Sequence, residues 1–78
     1  MQLEIITPEK KIYSGDVTAV NLPGSDGSFG LLENHAPIIS TLKVGTIKVF
    51  EKDNSEKSFD VKGGVIEMNN NKIIVLAE

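Results

Sequence analysis

The sequence predicts an all-β domain, a small antiparallel β-sandwich or flattened barrel of about eight to ten short strands. Three observations predict it. Apolar and polar residues alternate over short stretches; between Ser58 and Lys62, Phe59 and Val61 point one way while Ser58, Asp60 and Lys62 point the other. Turn residues interrupt these stretches at short spacing. The one stretch with a helical apolar period, Leu31, Leu32, His35, Ile38, Ile39 and Leu42, contains Pro37. A proline inside a helix deletes a hydrogen bond and clashes one turn back, at about 3 kcal/mol. It also biases Ala36 towards extended geometry. Leu31 to Ala36 therefore reads as an irregular loop with room for one helical turn near Glu33-Asn34, and Ile38 to Leu42 as a strand.

The strands follow in order. Leu3, Ile5 and Thr7 alternate with Gln2 and Glu4 until Pro8 ends the first. Tyr13 to Leu22 is rich in β-formers, with Gly15 as a bulge or bend, and Pro23-Gly24 reads as a turn pair. Thr46 to Phe50 puts Ile47 and Val49 on one face. The polar run from Glu51 to Glu56, centred on Asp53-Asn54, joins it to the Ser58–Lys62 strand as a hairpin. Val65 to Met68 and Lys72 to Leu76 flank Asn69-Asn70-Asn71, a second hairpin, because asparagine tolerates positive φ. The expected core is Leu3, Ile5, Val17, Ile47, Val49, Phe59, Val61, Ile74 and Leu76.

Bulk properties narrow the function. Seventy-eight residues are one domain, spanning 1–78, and such a chain buries only about 60% of its unfolded surface. There is no cysteine, so no disulfide framework and no thiolate metal site. No 18-residue apolar run is present, and Met1-Gln2-Leu3-Glu4 lacks the plan of a signal peptide; no direct membrane insertion is expected. The net charge is −3, and all eight basic residues are lysine. Without arginine or a basic stripe interleaved with aromatics, no nucleic-acid partner is expected.

Enzymatic signatures are missing where they would be sought. Gly24, Gly27 and Gly30 stand three apart, but Gly30 is followed by Leu31-Leu32. A phosphate-binding loop needs Lys-Ser/Thr there, and a dinucleotide fingerprint needs glycines one residue apart opening a helix. The glycines read as tight turns, and no cofactor is expected. His35 is the only histidine, with no nucleophile on an elbow and no orienting carboxylate nearer than Glu33, so it reads as a structural or interface residue. One histidine and scattered carboxylates give no metal-ligand spacing, so no metal and no catalytic residue is assigned. The lysines at 43, 48, 52, 57 and 62 suit solvated strand faces and guarded edges.

The run from Gly24 to Pro37, Gly-Ser-Asp-Gly-Ser-Phe-Gly-Leu-Leu-Glu-Asn-His-Ala-Pro, does fit one family. With Leu3-Glu4-Ile5-Ile6-Thr7-Pro8-Glu9, Tyr13-Ser14-Gly15, Leu22-Pro23-Gly24, Gly63-Gly64 and Ile74-Val75-Leu76-Ala77-Glu78, in this order and spacing, it resembles the N-terminal β-sandwich domain of the F-type ATP synthase epsilon subunit. The resemblance covers nearly the whole chain. It implies a non-catalytic rotor subunit of the central stalk, joining the gamma subunit to the polar loops of the c-ring and supporting the coupling of proton translocation to ATP synthesis. It implies a peripheral position at the cytoplasmic face of the bacterial inner membrane. By the same resemblance, Asp26, Gly27, Ser28, Phe29 and Gly30 face the c-ring, with Ser28 and Phe29 projecting between the glycines. Thr7, His35 and Ser40 face the gamma subunit, and Pro37, Gly63 and Gly64 are structural turns. Some relatives carry an acid where this chain has Ser28. Most bacterial relatives continue into a C-terminal helical hairpin that restrains hydrolysis and in some binds ATP. Nothing of it is present in these 78 residues, whether the chain is naturally short or truncated, and no ATP binding is expected. The competing reading, a free-standing β-sandwich module for peptide or glycan, predicts a rim of aromatic anchors, and the chain has only Tyr13, Phe29, Phe50 and Phe59.

Overall fold

A computed structural model describes residues 1–78 as eight strands with no helix. They are β1 (Gln2–Ile6), β2 (Lys11–Gly24), β3 (Gly27–Leu32), β4 (Ile38–Leu42), β5 (Gly45–Glu51), β6 (Glu56–Val61), β7 (Gly64–Asn69) and β8 (Lys72–Ala77). The order across the sheet is β1-β8-β7-β4-β2-β5-β6. The 14-residue β2 closes the structure by pairing with β1 through its first half and with β3 and β5 through its second. All pairs are antiparallel except β1–β8, which is parallel. The all-β sandwich expectation holds.

Both hairpins form where the asparagines stand. Asn70 and Asn71 take φ of 51° and 62°, a two-residue turn whose twist suits antiparallel strands, and Asn54 takes 70°. That turn fixes the register Asn69↔Lys72, so Ile66 and Met68 lie opposite Val75 and Ile73. Ile73, Val75 and Ala77 therefore point into the core, while Leu76 is 54% exposed and Ile74 only half-buried. The expectation for Ile74 and Leu76 was one residue out of phase. β8 is apolar on both faces, and a shift of one flips every side chain.

Other expectations shift by small physical causes. The turn after β2 falls at Ser25-Asp26, and Pro23-Gly24 stays in the strand opposite Ser28 and Gly27. β3 carries the extended chain through Leu31 and Leu32, which read as loop in sequence. Gly15 pairs regularly with Leu3; the irregularities lie at Ile5/Ile6 and Val17/Ala19. Gly15 instead makes room for a ring, since a Cβ there would lie 2.8 Å from the Tyr13 hydroxyl. That hydroxyl donates to Glu51 Oε2 at 2.6 Å. Burial, then this carboxylate, pushes Tyr13 up to about 12. Phe59 is half-buried and stacks at a tilt on Tyr13, 5.5 Å between centroids.

The core is a single cluster of 17 buried apolar residues running from Met1 to Ala77. Leu3, Ile5, Val17, Ile47 and Val49 are fully enclosed, and Val61 is 4% exposed. No polar side chain is buried.

Charges gather at one corner. The Met1 ammonium donates to Val17 O at 3.0 Å and Glu33 Oε1 at 2.8 Å and lies 3.5 Å from Asp16 Oδ1; Asp16 also meets Lys52 at 3.2 Å. The hydrogen bond from Lys52 holds Asp16 below its ordinary 3.8, and the hydrogen bond from the ammonium holds Glu33 below 4.5. A carboxylate whose folded pKa is depressed stabilises the fold above its unfolded value, and that contribution is lost as pH falls through the folded value. Thermal midpoints should thus fall as pH drops below about 4.5. The fall should shrink in high salt, because both acids are exposed. Scanning melts from pH 6 to 3, with Asp16→Asn as the flatter control, checks this; a flat wild-type profile would contradict it.

Candidate docking surfaces

Two features of the surface stand out, an apolar sheet face and a glycine-rich hairpin. On the outer side of β1-β8-β7-β4, two rows run across the strands. One is Glu4, Ile74, Glu67 and Ile39; the other is Ile6, Leu76, Val65 and Thr41. Ile39 is 71% exposed, Leu76 54% and Val65 41%. Their neighbours Val75 and Ile66 face the core, so strand alternation forces these side chains outward. Five apolar residues thus share one exposed face with two acids. Glu4 is paired with Lys11 at 3.4 Å, and Glu67 has no ion-pair partner. A contiguous exposed apolar face marks an interaction surface.

The β2–β3 hairpin carries Asp26 in its turn and Gly27 at φ 131°, where an added Cβ would meet nothing within 4 Å. Ser28 and Gly30 are exposed. Phe29 does not project as expected. It is half-buried against the core, and its ring covers Gly24, where a Cβ would sit 2.7 Å from it. Pairing puts Phe29 on the core side and Ser28 and Gly30 on the outer side. An open groove of about 450 Å³ lies beside them, lined also by Asn21, Leu22, Thr46 and Lys48.

Thr7, His35 and Ser40 do not form one cluster. Thr7 closes the turn after β1, exchanging backbone and side-chain bonds with Lys10. It follows Ile6, at the Leu76–Val65 end of the sheet. His35 is exposed in the loop after β3, its Nδ1 2.7 Å from Ala36 O. The adjacent Asn34 N–H donates to Asn71 Oδ1, which puts this loop at the opposite end, by the β7–β8 turn. Ser40 is half-buried in β4 between the outward Ile39 and Thr41. Pro37 is exposed and leads into β4. Gly63 and Gly64 join β6 to β7 with φ of 155° and 149°. The apolar face was missed in sequence, because Ile39, Val65 and Leu76 look like core residues until register decides their side.

Comparison with known proteins decides the family. The profile of the ATP synthase Delta/Epsilon chain, beta-sandwich domain, matches residues 1–78. The chain belongs to the ATP synthase delta/epsilon family. An ATP synthase epsilon chain of Chlorobium limicola is 44% identical over 77 residues, covering 99% of this chain and 88% of that one. An ATP synthase epsilon chain of Campylobacter curvus is 40% identical over the whole chain, which spans 60% of that relative's length. Among solved structures, a chain of the Euglena gracilis mitochondrial ATP synthase (OSCP/F1/c-ring) matches with a TM-score of 0.90 at 18% identity, over 96% of this chain and 48% of that one. A chain of the Tetrahymena thermophila mitochondrial ATP synthase central stalk and c-ring matches with a TM-score of 0.81 at 17% identity, over 99% and 62%. At these identities the structures share the fold. The family is that of a subunit of an enzyme complex, and the free-standing module gives way to it.

Proposed function

We propose that this chain is the non-catalytic rotor subunit of an F-type ATP synthase, a single β-sandwich domain of the central stalk that joins the gamma subunit to the c-ring. It works peripherally, at the cytoplasmic face of the bacterial inner membrane. One observation carries the reading: a folded member of the delta/epsilon family exposes the apolar face of Ile39, Val65, Leu76, Ile6 and Ile74, which demands a partner. We assign that face to the gamma subunit, with Thr7, Ser40 and His35 around it. The Asp26–Gly30 hairpin is assigned to the polar loops of the c-ring, where Gly27 and Gly30 allow close backbone approach. Pro37, Gly63 and Gly64 act only through the backbone. The side chains offer no nucleophile–base pair, so the chain contributes docking and stiffness, and it carries no active site or ATP site of its own.

Rebinding tests this. The chain added to synthase depleted of it should bind once per enzyme and restore coupling between proton flow and ATP synthesis. Calorimetric titration of the isolated chain with ATP should release no heat of specific binding. Failure to rebind, or micromolar binding of ATP, would overturn the proposal.

A further inference from the structure

We propose that the Met1 amine is a modification site that controls the loop from Glu33 to Pro37. Free, it holds the loop from one side while Asn71 holds it from the other; an acyl group on it, a formyl group above all, releases the loop. On the reading above, which this proposal rests on and deepens, the loop flanks the face that meets the gamma subunit.

The contacts around Met1 carry this. Met1 is 5% exposed and belongs to the core cluster, so its nitrogen is fixed in place. The Val17 N–H donates to Met1 O at 2.8 Å, and the ammonium returns a bond to Val17 O at 3.0 Å, which extends the β1–β2 ladder by one pair. A second ammonium N–H goes to Glu33 Oε1 at 2.8 Å, and Asp16 Oδ1 lies 3.5 Å away. On the other side of the loop, the Asn34 N–H donates to Asn71 Oδ1 at 2.7 Å, and Asn71 Nδ2 donates back to Asn34 Oδ1 at 3.3 Å. Asn71 is anchored in turn, its carbonyl accepting the Gln2 N–H at 3.0 Å. The loop is thus tied twice to the start of β1. Just beyond it, Pro37 and Ile39 line, with Glu67 and Asn69, a cleft of about 350 Å³ on the docking face.

Acylation cuts one tie and spares the ladder. An ammonium has three N–H groups and a positive charge, whereas a formamide nitrogen has one N–H and no charge. That one N–H serves Val17 O, so β1 stays in place. Glu33 loses its charge-assisted bond. An acyl oxygen, an acceptor, joins two carboxylates whose remaining cation is Lys52, on Asp16. The loop then hangs on Asn71 alone, and a loop that must be ordered on docking binds more weakly. On the bacterial reading, the nascent chain begins with formylmethionine. Hydrolysis of its formamide C–N bond puts the hydroxyl of water on the formyl carbon and a proton on the nitrogen, giving formate and the ammonium that Glu33 binds. The class of reaction that must precede docking is therefore a deformylation.

Synthetic 78-residue chains with a free or a formylated Met1 test this by amide hydrogen exchange and by affinity for the gamma subunit. With the formyl group, the Asn34 and His35 amides should exchange about tenfold faster while those of β7 and β8 stay protected, and affinity should fall about fivefold. Asn71→Gly keeps a residue suited to the turn's φ of 62° and removes only the side chain; it should loosen the same two amides with the amine intact, and Asn70→Gly should not. Glu33→Gln gives the sharpest reading. It should speed exchange in the free-amine chain, yet slow it in the formyl chain, where the Gln amide can donate to the formyl oxygen. Equal exchange in free and formyl chains, or no recovery with Glu33→Gln, would overturn the proposal. Faster exchange with unchanged affinity would also overturn it and leave the gamma assignment standing. If the free-amine chain does not bind the gamma subunit at all, that assignment fails, while the exchange data still decide the release of the loop.

Discussion

Gly64→Ala should leave the chain largely unfolded at 37 °C, with a loss of about 3–5 kcal/mol. Gly64 holds φ at 149° and is flanked on both sides, pairing in register with Leu42 of β4 and Ala77 of β8. An added Cβ collides with the Leu76 carbonyl oxygen and stands 3.1 Å from the Ala77 Cα. Both are backbone atoms of the neighbouring strand, so relief means separating β7 from β8. The loss is comparable to the whole stability of a small domain. Gly63 is the internal control. Its φ is 155°, but the nearest atoms to a Cβ are Leu42 O at 3.4 Å and Glu78 Oε2 at 3.6 Å. Gly63→Ala should pay backbone strain alone, about 1–2 kcal/mol. Urea denaturation of the two variants separates them. A Gly64→Ala midpoint at or above that of Gly63→Ala would show that β7 and β8 part easily at this point.

Leu76→Lys should weaken association with the gamma subunit by about 100-fold, equivalent to about 3 kcal/mol, and leave the melting temperature nearly unchanged. Leu76 is already half in water, so the free chain loses little packing when it becomes polar. With the proposed face seated on the gamma subunit the same position would be covered, and an ammonium enclosed among Val65, Ile6 and Ile74 would have no paired carboxylate other than what Glu67 can supply. Ser58→Lys, on the outer side of β6, is the control that should change nothing. Pull-down or calorimetric affinities for the three proteins decide it. Equal binding by wild type and Leu76→Lys would remove the apolar face from the interface.

The fold was readable where backbone chemistry is local, and the surface was not. Asn54, Asn70 and Asn71 marked both hairpins, because few residues other than glycine accept positive φ. Pro37 correctly broke a helical stripe, and β4 begins immediately after it. Pro23-Gly24 misled, because a turn dipeptide is also tolerated in a strand whose proline carbonyl bonds elsewhere, here to Lys43. β8 offered apolar residues on both faces, and only its pairing with β7 chose Ile73 and Val75 for the core. The docking face was hidden for the same reason. An exposed Leu76 and a buried Val75 are one residue apart and chemically alike, so hydrophobicity cannot assign their sides. The glycine hairpin was visible as a motif, but the inward turn of Phe29 needed the register with Leu22.

The account rests most on which face meets the gamma subunit. Titrating the isotope-labelled chain with the gamma subunit and following methyl signals tests it residue by residue. The methyls of Ile39, Val65 and Leu76 should shift and broaden together, while Thr46 on the outer face of β5 stays unmoved. Binding that perturbs the β5–β6 face and leaves those three methyls unchanged would contradict it.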